Sequence, residues 1–261
     1  MAAAVSPHTE TFRSHDLDLD SFKLIVKGQL VRGGTITMTA TATQHSEDLF
    51  RPVLNVKELV KASGYRRPND QSMSTVAHGL KRVALTVALG VGTDKLRFSA
   101  SDLGKPVCLN DSITRFSLSH AKGKIAVTLG EHRNVGVDID FPRSDKYRDI
   151  APMVLSPLEQ SLFEQSGFCN EFFIRRWTQK EAISKASGLG LSAEFSRFTT
   201  NDQARPTLCP KSGKHFYVET IAVNGGYLSV ASEGEKPGNL IIDFDPFVAA
   251  KTIFDQIEQI Q

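Results

Sequence analysis

Cysteine is scarce in this chain. Its three residues, Cys108, Cys169 and Cys209, lie far apart and offer neither a CxxC pair nor an even-numbered set. They read as reduced thiols in a core or in loops, with no disulfide framework. An excess of one charge is also lacking: 31 Lys and Arg against 29 Asp and Glu leave a formal +2. No overall field advertises a nucleic acid or a membrane surface, so neither is expected as a partner. Long hydrophobic runs are missing. The apolar stretch near Val83 to Val91 is too short and too interrupted to span a bilayer. Met1 to Arg13 holds no apolar stretch and no early basic cluster, so no secretory leader is expected and the cytoplasm is the default location.

What remains is a soluble globular composition, 40% hydrophobic and 23% charged over 261 residues, enough for one large domain or two ordinary ones. Phe22 to Val26 and Gly34 to Thr43 are rich in β-branched residues or threonine and read as strands. Asn55 and Glu58 form a capping-box start for a short helix that stops at Gly64. A longer helix runs from about Ser74 to Leu89, with Val76, Leu80, Ala84 and Val87 as its buried stripe. Strands follow at Lys95 to Ser99, Ile113 to His120 and Lys124 to Leu129.

The order then repeats. Val135 to Phe141 reads as a strand, Ser156 to about Gly167 as a short helix opened by a capping box, and Glu171 to Ser187 as a long one stopped by Gly188. Strands are expected near Glu194 to Thr200, His215 to Val223 and Tyr227 to Ser232. A further strand, Leu240 to Phe244, and an amphipathic helix from Phe247 to Ile260 close the chain. The expectation is an α+β pseudo-dimer of two similar halves, 1–130 and 131–261, each a small antiparallel sheet packed on a long helix.

Two segments carry the chemistry. In Val135-Gly136-Val137-Asp138-Ile139-Asp140 the apolar residues alternate with the others, so both carboxylates leave one face of a strand. Gly136 shares that face, where it has no side chain to block access. In the second long helix, Trp177, Glu181 and Lys185 are spaced i, i+4, i+8 and share a face. If the two faces meet, three carboxylates converge beside a lysine. Two like charges 4 Å apart repel by about 4 kcal/mol at an effective dielectric of 20, so the cluster calls for a cation or a shared proton. Oxygen ligands favour Mg2+. Taken singly the residues have plainer explanations. Glu181 and Lys185 also make an ordinary helical ion pair, worth about 0.2–0.5 kcal/mol. Asp138 and Asp140 also suit a solvated strand face.

The ordered set resembles the signature of phosphopantetheinyl transferases, in particular the larger Sfp-type enzymes of the holo-acyl-carrier-protein synthase superfamily. It comprises the strand, the Trp177 to Lys185 helix, Gly104-Lys105-Pro106 and Ser117-Leu118-Ser119-His120. The resemblance runs from about residue 70 to 235. It implies transfer of the phosphopantetheine arm of coenzyme A to a serine of an acyl- or peptidyl-carrier protein, with Mg2+ and release of 3′,5′-ADP. It implies Asp138, Asp140 and Glu181 as metal ligands, Glu181 as candidate base, and Lys185 and Lys180 toward the phosphates. Ser119 and His120 fall to the 3′-phosphate, Lys105 and Pro106 to the adenosine end, and Glu159 to a supporting place near the metal. With both halves on one chain, a monomer is expected. Two departures stand out. Asp140 replaces a commoner glutamate, and Gln71-Ser72-Met73-Ser74 lacks the arginine usual before the first long helix, where Lys57, Lys61, Arg66 or Arg67 would have to substitute. Two other readings stay open: a magnesium-dependent phosphodiesterase, and a non-catalytic relative that binds coenzyme A or a carrier protein.

Overall fold

Two sheets meet edge to edge, each covered by one long helix. The computed structural model describes residues 9–13, 19–143, 147–200, 202, 205–234 and 236–244. The first part of the chain runs β1 (Thr9–Arg13), α1 (Leu19–Val31), β2 (Thr35–Thr41), α2 (Gln44–Phe50), α3 (Val56–Ser63), α4 (Pro68–Leu89), β3 (Phe98–Ala100), β4 (Pro106–Cys108), β5 (Thr114–Ala121) and β6 (Lys124–Glu131). The second runs β7 (Val135–Asp140), α5 (Tyr147–Val154), α6 (Pro157–Gln165), α7 (Asn170–Ser187), β8 (Thr207–Cys209), β9 (Lys214–Val223), β10 (Gly226–Glu233) and β11 (Asn239–Asp243). The architecture is mixed α+β, as expected.

Local signals account for many of the helices. Asn55 and Ser156 each accept from the third helical amide, and the glutamate at that position, Glu58 or Glu159, accepts from the cap's own backbone N–H. Gly90 and Gly188 end α4 and α7 in the left-handed conformation that glycine adopts without strain. Each long helix also binds back to its short neighbour through the capping glutamate. Lys81 reaches Glu58 at 2.5 Å and Lys180 reaches Glu159 at 2.5 Å, all four side chains being nearly excluded from water.

Several expectations fail for identifiable reasons. Phe22 to Val26 belongs to helix α1. Leu19, Phe22, Val26 and Leu30 recur at helical spacing and are all buried, which outweighs the β-branched content between them. Glu194 to Thr200 is no strand: it holds a 3-10 turn, Phe195–Arg197, preceded by Glu194 at φ +54°, a value no strand residue takes. Helix α4 begins at Pro68 rather than Ser74, since proline in the first turn forfeits no hydrogen bond. Helices α2 and α5 and strands β1, β4 and β8 had no expectation. The anticipated helix from Phe247 to Ile260 lies outside the described residues.

Besides a two-stranded β3-β4 ribbon, the described residues form two larger sheets, and these are not copies. One is ordered β1-β11-β2-β6-β5 and the other β7-β10-β9-β8. The second is antiparallel throughout, but in the first β11 lies parallel to both β1 and β2. The expected pair of small antiparallel sheets is therefore corrected on the first side: β11 crosses back from the end of the chain and adds itself beside β2.

Candidate functional site

Strands β5 and β7 are the facing edges of the two sheets. An exposed edge needs partners for its outward main-chain groups. Along β7 those groups come from alternate residues, and side chains from the first half meet them. Val135 O accepts from Lys105 Nζ at 3.1 Å, Val137 N donates to Ser117 Oγ at 3.1 Å, and Ile139 N donates to Ser119 Oγ at 3.3 Å. Helix α7 lies on the other side of β7, close enough that a Cβ on Gly136 would sit 2.0 Å from Ala182 O. Gly136 is thus needed for helix approach, not for access to the carboxylates.

This packing brings Asp138 and Asp140 to the same cavity as Trp177, Glu181 and Lys185, a space of about 360 Å³ that Ser119 and His120 also line. Asp138 is buried, and its Oδ1 accepts from Lys185 Nζ at 2.7 Å and Ser119 Oγ at 2.8 Å. Asp140 accepts from the Arg143 guanidinium at 2.9 Å and from Phe141 N. The Glu181 carboxyl has no hydrogen bond or ion pair among the described residues. Burial, and then the Asp138 charge, hold its carboxyl above the usual carboxylate range. Trp177 packs against Phe173 and Phe195, so its part here is architectural.

A second cavity of about 340 Å³ opens beside the first and shares Leu118, His120 and Lys185 with it. Its polar wall includes Lys61, His78 and Lys105, and its apolar wall Tyr65, Leu103, Pro106 and Phe116. Burial, and then Lys81, push the His78 imidazole down to about 4. Burial, and then Lys185, lower that of His120. Both rings are therefore predominantly neutral near pH 7. Of the four cations considered as substitutes for the missing arginine, Lys61 alone lines this cavity. Tyr65 and His78 had been missed. The signal for His78 was present: Ser74, Ala77, His78 and Lys81 recur at helical spacing on one face.

Two assignments are corrected. Lys180 does not face either cavity. It is fully buried, paired with Glu159, and donates to the carbonyls of Val154, Phe195 and Phe198. Its position on the helix turns it toward the core. Glu159 is held equally fast, accepting also from Ser156 N, Thr200 N and Thr200 Oγ1, away from the carboxylate cavity. Lys105 lines the second cavity, but its ammonium is spent on Val135 O and Ala186 O.

Fold and site define an α+β protein whose sheets join over an acidic cavity and a basic-and-apolar one with a common wall. Residues 134–228 match the family model described as the 4′-phosphopantetheinyl transferase superfamily. It is 30% identical over 150 residues to 4′-phosphopantetheinyl transferase HetI of Nostoc sp., covering 53% of this chain and 61% of the relative. It is 23% identical over 197 residues to 4′-phosphopantetheinyl transferase ffp of Bacillus subtilis, covering 74% and 87%. It is 28% identical over 141 residues to an L-aminoadipate-semialdehyde dehydrogenase-phosphopantetheinyl transferase of Schizosaccharomyces pombe, covering 47% and 54%. The chain thus spans 61% of the length of the Nostoc relative. No helix among the described residues is long and apolar enough to cross a membrane.

Proposed function

We propose that this chain is a phosphopantetheinyl transferase that moves the phosphopantetheine arm of coenzyme A onto a serine of an acyl- or peptidyl-carrier protein. The observation that carries this reading is the common wall. Lys185 and His120 belong both to the carboxylate cavity and to the basic-and-apolar one, as a ligand with a nucleotide at one end and a reacting pyrophosphate at the other would need. Tyr65, Leu103, Pro106 and Phe116 suit an adenosine, and Lys61 with the neutral N–H donors of His78 and His120 suits its phosphate. The serine oxygen would attack the β-phosphorus, forming a new P–O bond. The bond to the bridging oxygen breaks, and 3′,5′-ADP leaves.

Mg2+ fits this site by donor type. Glu181 is a half-buried carboxyl without a protein partner, raised by burial and then by the Asp138 carboxylate, and a divalent cation relieves the second of these. Among the described residues no three His, Cys, Asp or Glu side chains already converge as a ligand set. Asp138, Asp140 and Glu181 would hold the ion, which when bound neutralises the pyrophosphate. Lys185 bridges Asp138 and the shared wall, where its compact ammonium faces the phosphate path. Glu181, the carboxylate of this cavity that no protein side chain engages, is the group suited to take the serine proton.

The test is transfer from labelled coenzyme A to a panel of carrier proteins with Mg2+, read by intact mass. A gain of one phosphopantetheine on at least one carrier, reduced at least 100-fold by Glu181→Gln, is expected. No transfer to any carrier, with metal-dependent cleavage of a phosphodiester instead, would favour the phosphodiesterase reading.

A further inference from the structure

The resemblance gives Ser119 to the nucleotide's 3′-phosphate, and the hydrogen bonds around it point elsewhere. A serine hydroxyl has one proton to donate. That of Ser119 goes to Asp138 Oδ1 at 2.8 Å, while its lone pair accepts from Ile139 N at 3.3 Å. Both partners sit on β7, across the gap between the two sheets, and Ser119 itself is buried at 7% exposure. A phosphate oxygen only accepts, so this hydroxyl cannot serve it without releasing Asp138.

The same hydroxyl completes the environment of Asp138. Oδ1 receives two donors, Ser119 from the first half and Lys185 from α7. Oδ2 has no hydrogen bond among the described residues. One oxygen is thus fixed from two sides and the other is left for a ligand. Ser117 repeats the backbone half of the device on Val137 N without reaching a carboxylate.

We propose that Ser119 is a positioning residue: from the edge of the first sheet it holds Asp138 of the second in the orientation that binds a divalent cation, and it is not a nucleotide contact. The coenzyme A comparison rests on the transferase reading; the Mn2+ affinity and the hydrogen bond to Ile139 do not.

The experiment uses the full chain as wild type, Ser119→Ala and Ser119→Thr. Three quantities are read: Mn2+ affinity by electron paramagnetic resonance, amide exchange at Ile139, and the ratio of affinities for coenzyme A and 3′-dephospho-coenzyme A without metal. Outer-sphere partners of metal ligands typically contribute about 10–100-fold to affinity. Ser119→Ala should therefore bind Mn2+ at least 10-fold more weakly and lose protection at Ile139, with the ratio unchanged; Ser119→Thr, which keeps a hydroxyl, should recover both. A collapsed ratio with Mn2+ affinity intact would overturn the proposal and restore the phosphate role. Lost protection at Ile139 without any change in Mn2+ affinity would also overturn it, leaving Ser119 a structural peg. If wild type binds Mn2+ but neither form of coenzyme A, the transferase reading fails, and the Mn2+ and exchange results still decide for or against Ser119.

Discussion

Lys180 and Lys185 sit on one helix and do different work. They point about 140° apart around its axis. Lys185 reaches Asp138 at the cavity, whereas Lys180 is sealed against Glu159 and three carbonyls. Removing one partner of a buried pair leaves the other charge uncompensated, typically at a cost of about 3–5 kcal/mol. Lys180→Met should therefore lower stability by about that amount, seen as a reduced urea midpoint. A variant of unchanged stability with lost coenzyme A affinity would return Lys180 to the phosphates. The motif around Lys180 was readable in the chain. Which of its lysines faced the cavity was not, because that depends on what packs against each side of the helix.

At the scale of elements, β7 and α7 are bound to each other by a missing side chain. A Cβ on Gly136 would lie 2.0 Å from Ala182 O and 2.5 Å from Ala186 N, both backbone atoms of α7. They cannot rotate away, so Gly136→Ala must displace the helix that carries Glu181 and Lys185. Overpacking of this kind costs about 1–3 kcal/mol. The expected result is a lower melting temperature together with weaker metal binding; a variant with wild-type values for both would show that the helix has slack. Helix boundaries were legible at the caps Asn55, Ser156, Gly90 and Gly188, but not at α2, whose box pairs Thr43 with Ser46 in place of a glutamate. Residues 190–200 were not, because short 3-10 turns satisfy their hydrogen bonds locally and leave no period to read. Helix α1 departs from the strand expected there because its β-branched residues suggest a strand, while its buried spacing shows only over about three turns.

On the scale of the whole molecule, Lys105 ties the halves together. Its ammonium reaches both the start of β7 and the last turn of α7, and no carboxylate pairs with it among the described residues. Burial, and then the nearby Arg115 guanidinium, push it down to about 8 from 10.5. Between those values the unfolded chain holds the proton that the folded one has released. Stability from this group is therefore fully present above about 10.5 and is lost as pH falls through about 8. Urea melts of the wild type should show stability rising with pH across that window relative to Lys105→Met, in which this slope is absent. Equal pH dependence in both would mean that the ammonium is solvated.

The sequence by itself determined the α+β class, the capped helices, and the two segments from which Asp138, Asp140, Glu181 and Lys185 project. These follow from periodicity and caps, which act over a few neighbouring residues. Only the tertiary structure decided what those side chains meet. The crossing of β11 into the first sheet, the commitment of Lys180 to Glu159 and the three side chains that complete the edge of β7 each join residues distant in the chain. A contact of that kind depends on how sheets and helices pack, and no local pattern encodes it.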